Sequence, residues 1–118
     1  MGNNNELLNC ITDAILDKKG KEVVKIDLIK LGYAMCDSFI LCHGGSTTQV
    51  HAIADAVEKK VKELTGTNVK HREGTENARW ILLDYGSVVV HVFIKEARDY
   101  YKLEELWGDA DLTIIKEE

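Results

Sequence analysis

Two runs of the chain, Arg79–Tyr85 and Val88–Ile94, lack the polar residue at every second position that a strand with one wet face carries. In the first run Trp80, Leu82 and Asp84 share one face, and Ile81, Leu83 and Tyr85 share the other. In the second, Val88, Val90, Val92 and Ile94 stand back to back with Val89, His91 and Phe93. Gly86-Ser87 between the runs is the Gly-X pair that a type II′ hairpin turn prefers. A sheet built around this hairpin needs both faces covered, either by helices or by another chain. Trp, Tyr and Phe in an uncovered patch are the residue types that anchor interfaces.

The rest of the pattern supplies part of that cover. Leu7, Leu8, Ile11, Ala14 and Ile15 recur at helical spacing, with Asn3 and Glu6 resembling a capping box and Gly20 a stop. Val24, Ile26 and Leu28 alternate with Lys25 and Asp27, which predicts a strand. Ser38–Cys42 is a short, nearly continuous apolar run, as in a strand buried on both faces. Gly44-Gly45 then leads into the capping box Ser46-Thr47-Thr48-Gln49, and Val50, Ile53, Ala54, Val57, Val61 and Leu64 lay one apolar stripe down a helix that Gly66 ends. A further strand is predicted over Thr67–Arg72 and a last helix over Glu96–Trp107. The predicted order is α-β-β-α-β-β-β-α, a mixed α/β (α+β) fold of about five strands and three helices. At 118 residues without proline or repeats, the chain is expected to form one domain over 1–118.

Charge narrows the partners. From Glu96 onward there are eight acids against three bases, which accounts for the whole net charge of −5. A protein that held RNA through phosphates needs a basic excess, so direct sequence-specific nucleic-acid binding is not expected. The acidic end suits a basic protein partner or serves as a solvated tail, expected after about residue 111. Cys10, Cys36 and Cys42 have no CxxC spacing and the four histidines form no HExxH pair, so no metal and no cofactor are expected. No apolar run is long enough to span a bilayer and the N-terminus lacks a signal-peptide pattern, which predicts a cytoplasmic location and no membrane.

Four motifs stand in register. Gly45-Ser46 leads into Val50–Val57, and Glu73-Gly74 precedes Arg79–Gly86 by six residues. Then come Val88–Phe93 and Glu96–Trp107. In this order and spacing they closely resemble the ribosomal silencing factor family, also called the Iojap family. The resemblance implies a nucleotidyltransferase-like fold and a non-enzymatic role. Such proteins bind the large ribosomal subunit through large-subunit protein fourteen, a basic protein at the subunit-joining face. They thereby block docking of the small subunit when nutrients run short, and members can be homodimers. It points to Glu73, Gly74, Trp80, Leu82, Asp84, Tyr85, His91, Arg98, Tyr101 and Trp107 as motif residues without telling which are contacts.

The bland readings stand beside these. His43-Gly44-Gly45-Ser46 resembles a phosphate-holding turn at a helix start, but the predicted strand Thr67–Arg72 carries no acid to hold magnesium. A nucleotide-binding enzyme and a homodimeric assembly module therefore remain the alternatives. Trp80 is either core or interface anchor. His91 reads as a core histidine bonded to Asp84 or Glu73. Arg98, with Tyr101 and Trp107, reads as a clamp of the last helix on the sheet.

Overall fold

A computed structural model describes residues 4–28, 36–106 and 111–115; Asn3 and Trp107 lie outside them. The elements are α1 (Asn4–Asp17), β1 (Lys21–Asp27), β2 (Ser38–Gly44), α2 (Thr47–Thr65), β3 (His71–Glu73), β4 (Trp80–Asp84), β5 (Val88–Ile94), α3 (Lys95–Tyr101), α4 (Leu103–Leu106) and β6 (Asp111–Ile114). The strands form one mixed sheet in the order β3-β4-β5-β2-β1-β6. Only β2 and β5 run parallel, in the middle, with Ser38 opposite Val88 through Gly44 opposite Ile94. Every other neighbouring pair is antiparallel.

The mixed fold and the predicted elements are present, with three differences. The strand expected over Thr67–Arg72 is the short β3 at His71–Glu73, because only there does the chain pair with β4. The helix expected over Glu96–Trp107 is broken at Lys102, whose φ of 51° is left-handed. A sixth strand, β6, forms where an acidic tail was expected. It pairs with β1, and Ile115 N–H donates to the Val23 carbonyl at 2.8 Å. Its four residues are all exposed, and its alternation of Asp111, Leu112, Thr113 and Ile114 is too short to stand out from the acidic end around it.

The sheet has two unlike faces. On the first, Ile40, Cys42, Ile81, Leu83, Val90 and Val92 pack under α1 and α2 in the larger core. On the second, Val24, Ile26, Leu28, Leu41 and Phe93 form a smaller core with Ala97 of α3 and Leu103 of α4. Helices thus cover one face fully and the other only in part.

The entry to α2 is tied by one side chain. Ser46 Oγ accepts from Gln49 N–H at 3.1 Å, the expected cap. Gln49 Oε1 accepts from Gly45 N–H at 2.7 Å, and its Nε2 donates to the carbonyls of Lys18 and Lys19 beyond α1. Gln49→Ala removes these solvent-reachable bonds and is expected to cost about 0.5–1.5 kcal/mol, read as a lower urea midpoint at unchanged slope.

Candidate functional site

Register decides which side chains share the second face. Counting across the sheet, Trp80 stands opposite Phe93, and Phe93 opposite His43. The next row is Glu73, Leu82, His91 and Leu41, and the row after that His71, Asp84, Val89 and Phe39. Phe93 is fully buried and His91 is 4% exposed, whereas Phe39, Trp80, Leu82, Asp84 and Val89 are only half-buried. The half-covered part of the face is therefore aromatic and aliphatic, with Glu73 and Asp84 at its β3–β4 end.

The aromatic rings touch one another. Trp80 packs on Phe93 at 5.0 Å and on Tyr101 at 4.8 Å between ring centres, and Tyr100 meets Tyr101 edge-on at 5.1 Å. Tyr101 is 49% exposed and Tyr100 80%. Together with Gly74, Asn77 and Arg79, the rings of Trp80, Tyr100 and Tyr101 line a groove of about 420 Å³. Trp80 is a wall of the smaller core and is also partly exposed.

Trp80 Nε1–H donates to His91 Nδ1 at 3.0 Å. This corrects the expected partner of His91, which is neither Asp84 nor Glu73. Asp84 Oδ1 accepts from Gly86 N–H at 2.7 Å inside the hairpin turn, and Glu73 Oε2 sits 2.5 Å from His71 Nε2. Because Nδ1 accepts, the His91 proton resides on Nε2, a buried atom without a hydrogen-bond partner among the described residues.

Arg98 is 6% exposed, and its partners are not the expected Tyr101, which packs on Trp80, or Trp107, which lies outside the described residues. Its Nη2 donates to Glu104 Oε2 at 2.6 Å, and its Nη1 reaches His43 Nδ1 at 3.1 Å and the Lys21 carbonyl at 3.3 Å. One guanidinium thus joins α3 and α4 to β1 and β2. Gly74 is a turn with φ of 83°, where an added Cβ would lie 2.0 Å from the Trp80 carbonyl oxygen.

Tyr85 is not part of this face. It is 5% exposed in the larger core, and burial followed by the charge of Glu58 pushes its hydroxyl up to about 12. Near it Arg72 binds Glu58 and, at 3.1 Å, Asp55, so Arg72 serves the first face and not a partner. Two surface contributors lie outside the motifs: Phe39 is hidden in the unbroken apolar run of β2, and Asn77 lacks a pattern that marks it.

Gly45 N–H, which a phosphate would need, is bonded to Gln49. Asp84 lies level with Phe39, about 17 Å along β2 from Gly44 at the usual strand rise. Glu73 is three strands away from β2, about 14 Å across the sheet.

The whole length from residue 2 to 118 matches the family model described as "Ribosomal silencing factor during starvation". The chain belongs to the ribosomal silencing factor family. It is 49% identical over 107 residues to a ribosomal silencing factor of Halalkalibacterium halodurans, covering 91% of this chain and 90% of that one. Identity to the Bacillus subtilis ribosomal silencing factor is 43% over 111 residues, with coverage of 94% and 92%. A crystal structure of a Chromobacterium violaceum protein superposes with a TM-score of 0.85 at 38% identity, over 91% of this chain and 88% of that one. In this family member, no helix among the described residues is long and apolar enough to cross a membrane.

Two outcomes test the site's construction. Gly74→Ala forces a Cβ onto the backbone at a left-handed φ and is expected to lower stability by about 2 kcal/mol or more in a thermal melt. Burial pushes the His91 imidazole from its ordinary 6.5 down to about 4. The folded state therefore favours neutral His91. The stability this contributes is complete above pH 6.5 and is lost as pH falls through about 4, on the order of 3 kcal/mol in full. His43 shifts in the same direction, through burial first and then the charge of Arg98. Melting temperature should fall between pH 6.5 and 4, and less steeply in His91→Leu.

Proposed function

We propose that this protein docks on the large ribosomal subunit through the half-covered sheet face around Trp80 and represses translation by steric block. The reading has three parts: a basic ribosomal protein, large-subunit protein fourteen, as the partner; exclusion of the small subunit as the effect; and nutrient limitation as the occasion. It takes the protein to be a cytoplasmic non-enzyme that uses no cofactor. Family membership supports a role at the ribosome, and the face itself supports the mode of action.

The observation that carries it is the patch formed by Phe39, Trp80, Leu82, Val89 and Tyr101, which the protein's own helices leave half-open. Aromatic residues at the centre with acids at the border match the anatomy of an interface with a basic protein. Glu73 and Asp84, at the β3–β4 end of the same face, supply that border charge. Steric exclusion asks only for affinity and bulk, and a chain with a bonded glycine turn and separated carboxylates suits it.

In gradient co-sedimentation with purified subunits, the protein should travel with the large subunit and not with the small one. Trp80→Ala should weaken that association by about 2 kcal/mol or more, roughly thirtyfold, while retaining its circular dichroism spectrum. Migration with the small subunit, or undiminished binding by Trp80→Ala, would sink the proposal. A second copy of the chain is the competing occupant of the face. Sedimentation equilibrium of wild type against Trp80→Ala separates it, since dimerisation there would depend on Trp80.

A further inference from the structure

We infer that His91 is a positioning residue for Trp80, holding the indole in the orientation in which the half-open face meets its partner. The inference rests on the docking surface proposed above and concerns how that surface is kept ready. Trp80 and His91 are diagonal neighbours on β4 and β5, because Trp80 is opposite Phe93 and Leu82 opposite His91. Diagonal positions on one face are within reach of long aromatic side chains. Here the reach is used by a hydrogen bond of 3.0 Å from the indole N–H to Nδ1.

The imidazole is itself fixed. It meets Phe39 edge-on at 4.6 Å and lies parallel to Phe93 with ring centres 6.2 Å apart. It is 4% exposed, so its acceptor nitrogen has one setting relative to the sheet. Trp80 is then held at two points, its ring against Phe93 and Tyr101 and its N–H by His91.

Stability alone does not account for a histidine here. With Nδ1 accepting, the Nε2–H is buried and has no hydrogen-bond partner among the described residues, a cost that leucine would avoid. Nor does Trp80 need an internal acceptor, since a half-buried indole can give its N–H to water. What the bond provides is one orientation of a large side chain before the partner arrives, which reduces the ordering that binding must otherwise impose.

The test is a double-mutant cycle on binding to purified large subunits, with Trp80→Phe removing the N–H and His91→Leu removing the acceptor. His91→Leu is expected to weaken binding about fivefold to tenfold in the wild-type background and less than twofold in Trp80→Phe. His91→Gln, whose side-chain oxygen can accept, should recover part of the loss. A purely structural role would give the same loss in both backgrounds, and that result overturns the inference. A readout independent of the ribosome comes from the indole N–H signals in nitrogen-15 spectra, where Trp80 is identified as the peak lost in Trp80→Phe. That proton should exchange slowly with water in wild type and quickly in His91→Leu. Fast exchange in wild type overturns the inference even where the variants fold poorly. Failure of the docking surface is a separate result, since Trp80→Ala and Trp80→Phe would then both bind as wild type.

Discussion

One buried guanidinium decides which part of the second sheet face is core and which is surface. Arg98 draws together Glu104, His43 and the Lys21 carbonyl, and so holds the short α3–α4 pair over Leu41, Val24 and Phe93. These helices are only seven and four residues long, and neither is independently stable at that length. Their position comes from the ion pair and from Ala97 and Leu103 beneath them. Where their cover ends, Phe39, Leu82 and Val89 are left half-open. Arg98 is buried and Glu104 partly exposed, so losing Glu104 would leave a buried charge without its carboxylate.

Much of the fold was legible because it is written in periodicity. The stripe from Val50 to Val61, the Ser46 cap and the Gly66 stop describe α2 almost to the residue. The hairpin was legible from the missing polar alternation, and its two faces separate as read: Ile81, Leu83 and Tyr85 under the helices, Trp80, Leu82 and Asp84 opposite. β3 was misplaced because a three-residue edge strand has no period to read. The break at Lys102 was missed because a left-handed lysine leaves no compositional mark, unlike a glycine. β6 was missed because its alternation, Asp111-Leu112-Thr113-Ile114, spans only four residues within an acidic end.

The candidate site was legible as a list and not as a map. Glu73, Trp80, Leu82, Asp84 and His91 share the second face because strand register puts them there, and Tyr101 joins them by stacking on Trp80. Tyr85 and Arg98 belong to the same motifs but serve the interior. Sequence spacing shows which residues alternate along a strand. It does not show which face a short helix then covers, since that depends on Arg98 finding Glu104 and His43 from distant parts of the chain. The Trp80–His91 bond was hidden for the same reason, as it joins diagonal positions on two strands.

The last strand gives the molecule two unlike margins. β6 adds no residue of its own to either core, yet it caps the backbone of β1, while β3 at the other end is held to the body by Arg72 reaching Asp55 and Glu58. β6 is joined to β1 by its ladder of hydrogen bonds and is followed by the partly buried Ile115. The sheet is therefore graded in burial, with buried strands β2 and β5 at its centre and an exposed strand at its β6 margin. Leu112 and Ile114, both exposed at that margin, make it the place where a crowded solution of this protein would first form unintended β-pairs.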